Sequence, residues 1–197
     1  MNKSSDEDLV GQLQRGQVDA LDELYDRYAK KLYVFCYNIT RSEAAEDLVH
    51  DVFAQLIRSA HTYNPRKASF RTWLFRVARN RCIDFLRREK RIRFLPIGEP
   101  EDNSRRAVIL EQALADPGAS VEASVIQTEL AQAVRDCIDE LDGNEKQAIV
   151  LYYVAGQVYR EIGEVLNKST SMAHKLCKSA QDQVQRCLES KGIRELI

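Results

Sequence analysis

Apolar residues recur along this chain every three or four positions, and no run alternates strictly with period two between hairpin turns. The pattern predicts an all-α fold. Ser5 and Asp8 form a capping box ahead of Leu9 and Leu13, and Gly16 is placed to stop that short first helix. Asp19 begins a long second helix whose stripe is Leu21, Leu24, Tyr28, Leu32, Phe35 and Ile39. A third follows Thr40 or Ser42, with Leu48, Val49, Val52, Phe53, Leu56 and Ile57 along its apolar side. The fourth begins near Ser69, after the turn-forming Asn64 and Pro65. At about 100° per residue, Phe70, Trp73, Leu74, Val77 and Phe85 share one side of it, and Arg71, Arg76, Arg79, Arg87 and Lys90 fall opposite. Arg81 and Arg88 project toward the apolar side, which calls for a bend or for acidic partners such as Asp84.

From Phe94 to about Ser120 the helical pattern weakens, and three of the four prolines, Pro96, Pro100 and Pro117, lie there with Gly98 and Gly118. This divides the chain into a first domain at 1–95, an acidic, flexible linker at 96–120 and a second domain at 121–197. Val108, Ile109, Leu110 and Leu114 give the linker one marginal helix. The second domain reads as four helices: Ser124 to Leu141, Asn144 to Ala155, Val158 to Leu166, and Thr170 to about Ser190. The last two fit a helix-turn-helix, which presents its second helix to the DNA major groove. Ile162, Val165 and Leu166 would pack against Ala173, Cys177, Ala180 and Val184, with Asn167 at the turn taking a left-handed conformation.

Composition narrows the classes. Of 197 residues 44% are hydrophobic and 30% charged, the balance of a soluble globular protein. The opening MNKSSDEDLV lacks the apolar core of a signal peptide, and no stretch approaches the ~18 apolar residues of a membrane span. A cytoplasmic protein without membrane insertion is expected. Five cysteines, Cys36, Cys82, Cys137, Cys177 and Cys187, match neither a disulfide framework nor a paired metal motif, so reduced, packed thiols are expected. The net charge of −1 hides a basic block from Arg66 to Arg93, opposed only by Asp84 and Glu89. Cations interleaved with aromatic residues suit nucleic acid. There is no phosphate-cradling glycine loop and no nucleophile with an evident base, so no catalytic residue, cofactor or metal is predicted. His174 and Cys177 sit three apart without a further ligand set.

The run EAAEDLVHDVFAQLIRSAHTYNPRKASFRTWLFRVARNRCIDFLRREKR resembles the second region of extracytoplasmic-function sigma factors. LDGNEKQAIVLYYVAGQVYREIGEVLNKSTSMAHKLCKSAQ resembles their fourth region. The resemblance implies a non-enzymatic initiation factor that binds core RNA polymerase and promoter DNA, with an anti-sigma protein as a further partner. It implicates Asp47, Leu48, Asp51, Phe53 and Gln55 in docking on polymerase. Glu46, Asp47 and Asp51 would meet a basic surface there, with Leu48 or Phe53 to seal it. The fourth helix and the loop before it resemble the parts that hold the single-stranded minus-ten element. This implicates Tyr63, Lys67, Arg71, Arg76, Arg79, Asn80 and Arg87, cations and bases' stacking partners suited to strand capture. Ser169, Thr170, Ser171, His174, Lys175 and Lys178 would read the duplex minus-thirty-five element.

The second domain departs from the family where Val158 replaces a capping Ser or Thr, and where Leu176 and Gln181 stand in place of Arg. A bidentate arginine contact to guanine is therefore absent at those two positions. Two other readings stay open: a two-domain helix-turn-helix regulator of duplex DNA that is not a polymerase subunit, and a helical adaptor for RNA or an acidic protein. Neither requires an acidic helix beside a basic aromatic one.

Overall fold

A computed structural model describes residues 4–93 and 121–193; the linker at 96–120 and its marginal helix lie outside the described residues. No strand occurs among the described residues. The first domain holds α1 (Asp6–Gln14), α2 (Ala20–Thr40), α3 (Ala45–Ser59), a 3-10 turn (Ala60–Thr62) and α4 (Phe70–Arg93). The second holds α5 (Val121–Asp139), α6 (Gly143–Tyr153), α7 (Tyr159–Leu166) and α8 (Thr170–Ser190). No helix among the described residues is long and apolar enough to cross a membrane.

The capping box at Ser5 forms as the sequence implies: the Asp8 N–H donates to Ser5 Oγ at 3.1 Å, and the Ser5 N–H returns a bond to Asp8 Oδ2 at 3.3 Å. Arg27 then ties α1 to α2, pairing with Asp6 and Glu23 at 2.5 Å each, while Tyr28 donates its hydroxyl proton to Asp6. Beneath these polar ties the core of the first domain is aromatic. Phe35 meets Phe75 edge-on at 5.2 Å, and Phe70 meets Tyr28 at 5.7 Å.

Two helix faces differ from their projections. Ile57 is 52% exposed, turned away from the core that buries Leu56 and Ala60 on either side of it. On α4 the fully buried row is Phe70, Leu74, Phe75, Ala78 and Cys82, while Trp73, Val77 and Phe85 are only partly covered. Helix α4 is packed by α1, α2 and α3 from the first domain and by α7 from the second, so its buried arc is set by several neighbours rather than one. Arg81 finds the amide oxygen of Gln55 at 2.8 Å instead of an acid.

In the second domain Asp142 caps α6, its Oδ1 accepting from the N–H groups of Asn144 and Glu145 at 2.8 and 3.0 Å. The helix-turn-helix closes on Asn167, left-handed at φ 55, and on the Lys168 N–H, which donates to Gly163 O at 2.8 Å. Ser169 opens α8 by accepting from the Met172 N–H. Ile162, Val165, Leu166, Ala173, Cys177, Ala180 and Val184 are all buried, as the periodicity required. The expectation of five reduced cysteines fails: Cys137 on α5 is bonded to Cys187 on α8, and Cys36, Cys82 and Cys177 are buried free thiols. A separation of 50 residues is no local motif; the pairing exists because α5 packs along α8.

The turn allows one test of this packing. A methyl group on Gly163 would stand 2.7 Å from Lys168 O, so Gly163→Ala should destabilise the second domain by about 1–3 kcal/mol in urea unfolding. Asn167→Val should do likewise because a β-branched residue resists positive φ, whereas Asn167→Gly should be nearly neutral. Equal unfolding midpoints for all three variants would show that the turn is not under this constraint.

Candidate nucleic-acid interface

Helix α3 carries the acidic surface. Its first turn holds Glu46 and Asp47, with no basic residue there to neutralise them, and Glu46, Asp47 and Asp51 are all exposed. Leu48 and Phe53 are corrected: at 5% and 4% exposure they belong to the core and cannot seal a partner surface. Both lie on the apolar stripe, where helical geometry turns them inward. Gln55 is half-buried, its Oε1 accepting from Arg81 at 2.8 Å and Arg58 at 3.3 Å. Tyr25, which the α2 stripe passed over, is 37% exposed and rests on Phe53 at 4.8 Å and on His50 at 6.2 Å. It gives the acidic face the aromatic group that Phe53 does not supply.

Tyr63 is also corrected. It is 6% exposed and packed edge-on to Phe70 and Trp73, so it supports the 61–69 loop from beneath and presents no face to a base. Burial, with Glu7 beside it, pushes its hydroxyl up to about 12, and that hydroxyl donates to Ala68 O at 3.3 Å. Lys67 and Asn80 are exposed, and Arg87 is exposed beside Asp84 at 3.7 Å.

Arg71, Arg76 and Arg79, the other three arginines expected at the minus-ten strand, are not free. Arg71 donates to Glu161 at 3.3 Å, Arg76 lies 3.8 Å from Glu164, and Arg79 Nε donates to Gln147 Oε1 at 2.9 Å. Ser69 adds a hydrogen bond to Glu161 at 2.8 Å, and Arg41 pairs with Asp139. In each of these contacts the donor comes from the first domain and the acceptor from the second. Burial draws the Arg79 guanidinium below its ordinary value. Burial pushes the Glu161 carboxyl up, but hydrogen bonds from Ser69 and the Val158 N–H, with the Arg71 charge, outweigh it and hold the group below its ordinary 4.5. Sequence reasoning placed these arginines on one face correctly but had no signal for what covers it. Arg41, left-handed at φ 54 at the end of α2 and stacked over Tyr37 at 5.8 Å, was missed for the same reason.

The outer face of α8 is open. Ser169, Thr170, Ser171, His174, Lys175 and Lys178 are all exposed. Tyr159 meets His174 edge-on at 4.8 Å and stacks on Tyr152 at 5.4 Å, forming an aromatic shelf beside that face. Gln181 donates to the Tyr153 hydroxyl at 2.8 Å, and Leu176 is half-buried, so neither compensates for the missing arginines.

Residues 24–92 match the family described as Sigma-70 region 2, and residues 137–186 match Sigma-70, region 4. The chain is 28% identical to the ECF RNA polymerase sigma factor SigW of Bacillus subtilis (strain 168), over 80% of this chain and 83% of that protein. It is equally 28% identical to the ECF RNA polymerase sigma factor SigK of Mycobacterium sp. (strain KMS), over 91% and 89%. Among solved structures it is similar to CnrH in complex with the cytosolic domain of CnrY, with a TM-score of 0.65 and 22% identity over 95% and 99% of the two chains. It is also similar to the sigma factor RpoE in complex with the anti-sigma factor NepR from Bartonella quintana, with a TM-score of 0.60 and 17% identity over 85% and 97%.

Because the Glu161 carboxyl is held low in the folded chain, its contribution to stability is fully present above about pH 4.5 and is lost as pH falls through the lowered value. Wild type should therefore be more stable than Glu161→Gln at pH 7, and the gap between their unfolding midpoints should close below pH 4.5. A gap that stays constant with pH would mean the charge itself contributes nothing.

Proposed function

The chain belongs to the extracytoplasmic-function group of the sigma-70 family and is an RNA polymerase sigma factor, and we propose that its two domains divide the work of initiation between them. Residues 1–95 hold core polymerase through the acidic surface of α3, where Asp47 and Asp51 meet a basic partner and Gln55 and Tyr25 border the contact. The same domain takes the single-stranded minus-ten element on α4 and its preceding loop, through Lys67, Arg71, Arg76, Arg79, Asn80 and Arg87. Guanidinium groups neutralise phosphates there, so binding weakens steeply with salt. Residues 121–197 read the duplex minus-thirty-five element with Ser169, Thr170, Ser171, His174, Lys175 and Lys178, and 96–120 join the two. Lacking arginine at 176 and 181, that reading relies on hydroxyls, lysines and the histidine poised on Tyr159.

The chain's part is binding and positioning in the cytoplasm, and phosphoryl transfer belongs to the polymerase. The solved relative from Bartonella quintana is held by an anti-sigma factor, and that supports proposing a protein partner of the same kind here. One observation carries the reading: an exposed acidic row on α3 lies beside a cationic helix in the same domain, which a simple duplex-binding regulator does not require.

Purified chain added to core polymerase should yield promoter-specific transcripts. Asp51 is exposed, so Asp51→Lys should melt within about ±0.5 kcal/mol of wild type in stability terms. At a polymerase contact it should weaken core binding by about thirty-fold or more, the equivalent of roughly 2–5 kcal/mol. An Asp51→Lys protein that forms an active holoenzyme would overturn the placement of the polymerase surface.

A further inference from the structure

Helix α1 lies ahead of the region 2 residues, which begin at 24, yet two of its side chains reach the loop that leads into α4. We propose that Glu7 and Gln14 are positioning residues for base capture: they hold the 61–69 loop in the shape that selects a minus-ten base, without touching DNA themselves. This deepens the reading of that loop given above and rests on it.

The loop is fastened at both ends from this one helix. Where it starts, Gln14 Nε2 donates to Ala60 O at 2.9 Å and to Tyr63 O at 3.3 Å. Where it ends, Glu7 Oε1 accepts from the Phe70 N–H at 3.3 Å and lies 3.5 Å from the Tyr63 hydroxyl. Phe70 is the first residue of α4, whose opening N–H groups have no acceptor within the helix, so a carboxylate there anchors the helix start. Ser69 Oγ takes the Thr72 N–H at 3.3 Å, which completes the cap. Glu7 and Gln14 stand two turns apart, on one face of α1, and the buried Leu9 and Val10 between them seat the helix.

Of residues 61–67 only Tyr63 is buried. The loop therefore has little hydrophobic hold, and polar contacts decide its shape. Asn64 turns the chain on itself: its Oδ1 accepts from the Arg66 N–H at 2.9 Å, and its carbonyl accepts from the Lys67 N–H at 3.0 Å. That turn displays Lys67, and the bonds to Gln14 and Glu7 fix where the turn stands relative to α4. A loop with free ends adopts the selecting shape only part of the time, and fastening the ends raises that fraction. Discrimination between bases depends on such placement, because a group that reads a base edge must be held by supporting residues that do not themselves touch it.

The test uses holoenzyme assembled from core polymerase and the full-length chain, presented with a pool of single-stranded DNA randomised over a short window. Sequencing the retained strands gives the base preference at each position. Gln14→Glu keeps the shape of the side chain and removes its donor, and Glu7→Leu removes the acceptor. Gln12→Glu, two residues away on α1, introduces the same charge as a control. Preference at the captured base is expected to fall about two- to tenfold in both variants, the range that one hydrogen bond of ordinary net worth corresponds to. The salt dependence of binding should be unchanged, because as many phosphates are neutralised as before. The control should keep the wild-type preference, and Gln14→Lys, which restores a donor, should recover most of it. Wild-type preference in Gln14→Glu and Glu7→Leu would overturn the role of α1 and leave the loop's assignment standing. A fall that Gln12→Glu shares, or that Gln14→Lys fails to reverse, would trace to charge or to folding and would overturn the positioning role as well. Wild-type holoenzyme that selects no base from the pool would instead overturn the assignment of the 61–69 loop, and the positioning with it.

Discussion

An arginine taken out of water keeps its charge, and the fold is arranged around satisfying that demand. Arg27 meets it inside the first domain, where Asp6 and Glu23 hold it and so fasten α1 to α2. Arg71, Arg76 and Arg79 meet it across the domains, where Glu161, Glu164 and Gln147 supply the acceptors. Arg71, Arg76 and Arg79 are each half-buried, so each finds an acceptor on the second domain, while Arg87 stays in water. Helix packing brings the two domains together, and these polar contacts line the surface where they meet.

Local patterns were legible wherever local physics decides the outcome. The capping box at Ser5, the left-handed turn at Asn167 and the span of α8 were read correctly because propensity, caps and periodicity act within a few residues. What escaped depends on contacts far apart in sequence. Leu48, Phe53 and Tyr63 were assigned to partners because a resemblance transfers positions without saying which way a side chain points; their apolar bulk sends them into the core. The bond between Cys137 and Cys187 follows from α5 lying along α8, which no spacing rule anticipates. The cover over α4 had no signal either, since a one-sided cationic face reads the same whether water, DNA or another domain lies against it.

Helix α8 separates its packing residues from its exposed ones. Leu176 and Gln181 lie off the buried row of Ala173, Cys177, Ala180 and Val184 that seats α8. The aromatic shelf of Tyr152 and Tyr159 fixes the edge of His174. The buried row and the exposed face of α8 are thus made of separate residues, and each can change without the other.

The crowded turn between α7 and α8 has a mechanical meaning. Gly163 leaves no space against Lys168, and Asn167 is confined to one backbone conformation, so the angle between the two helices is fixed. Helix α7 faces α4 on one flank and α8 on the other. The pair is a rigid lever: whatever lifts α7 off the first domain must swing α8 through the same rotation.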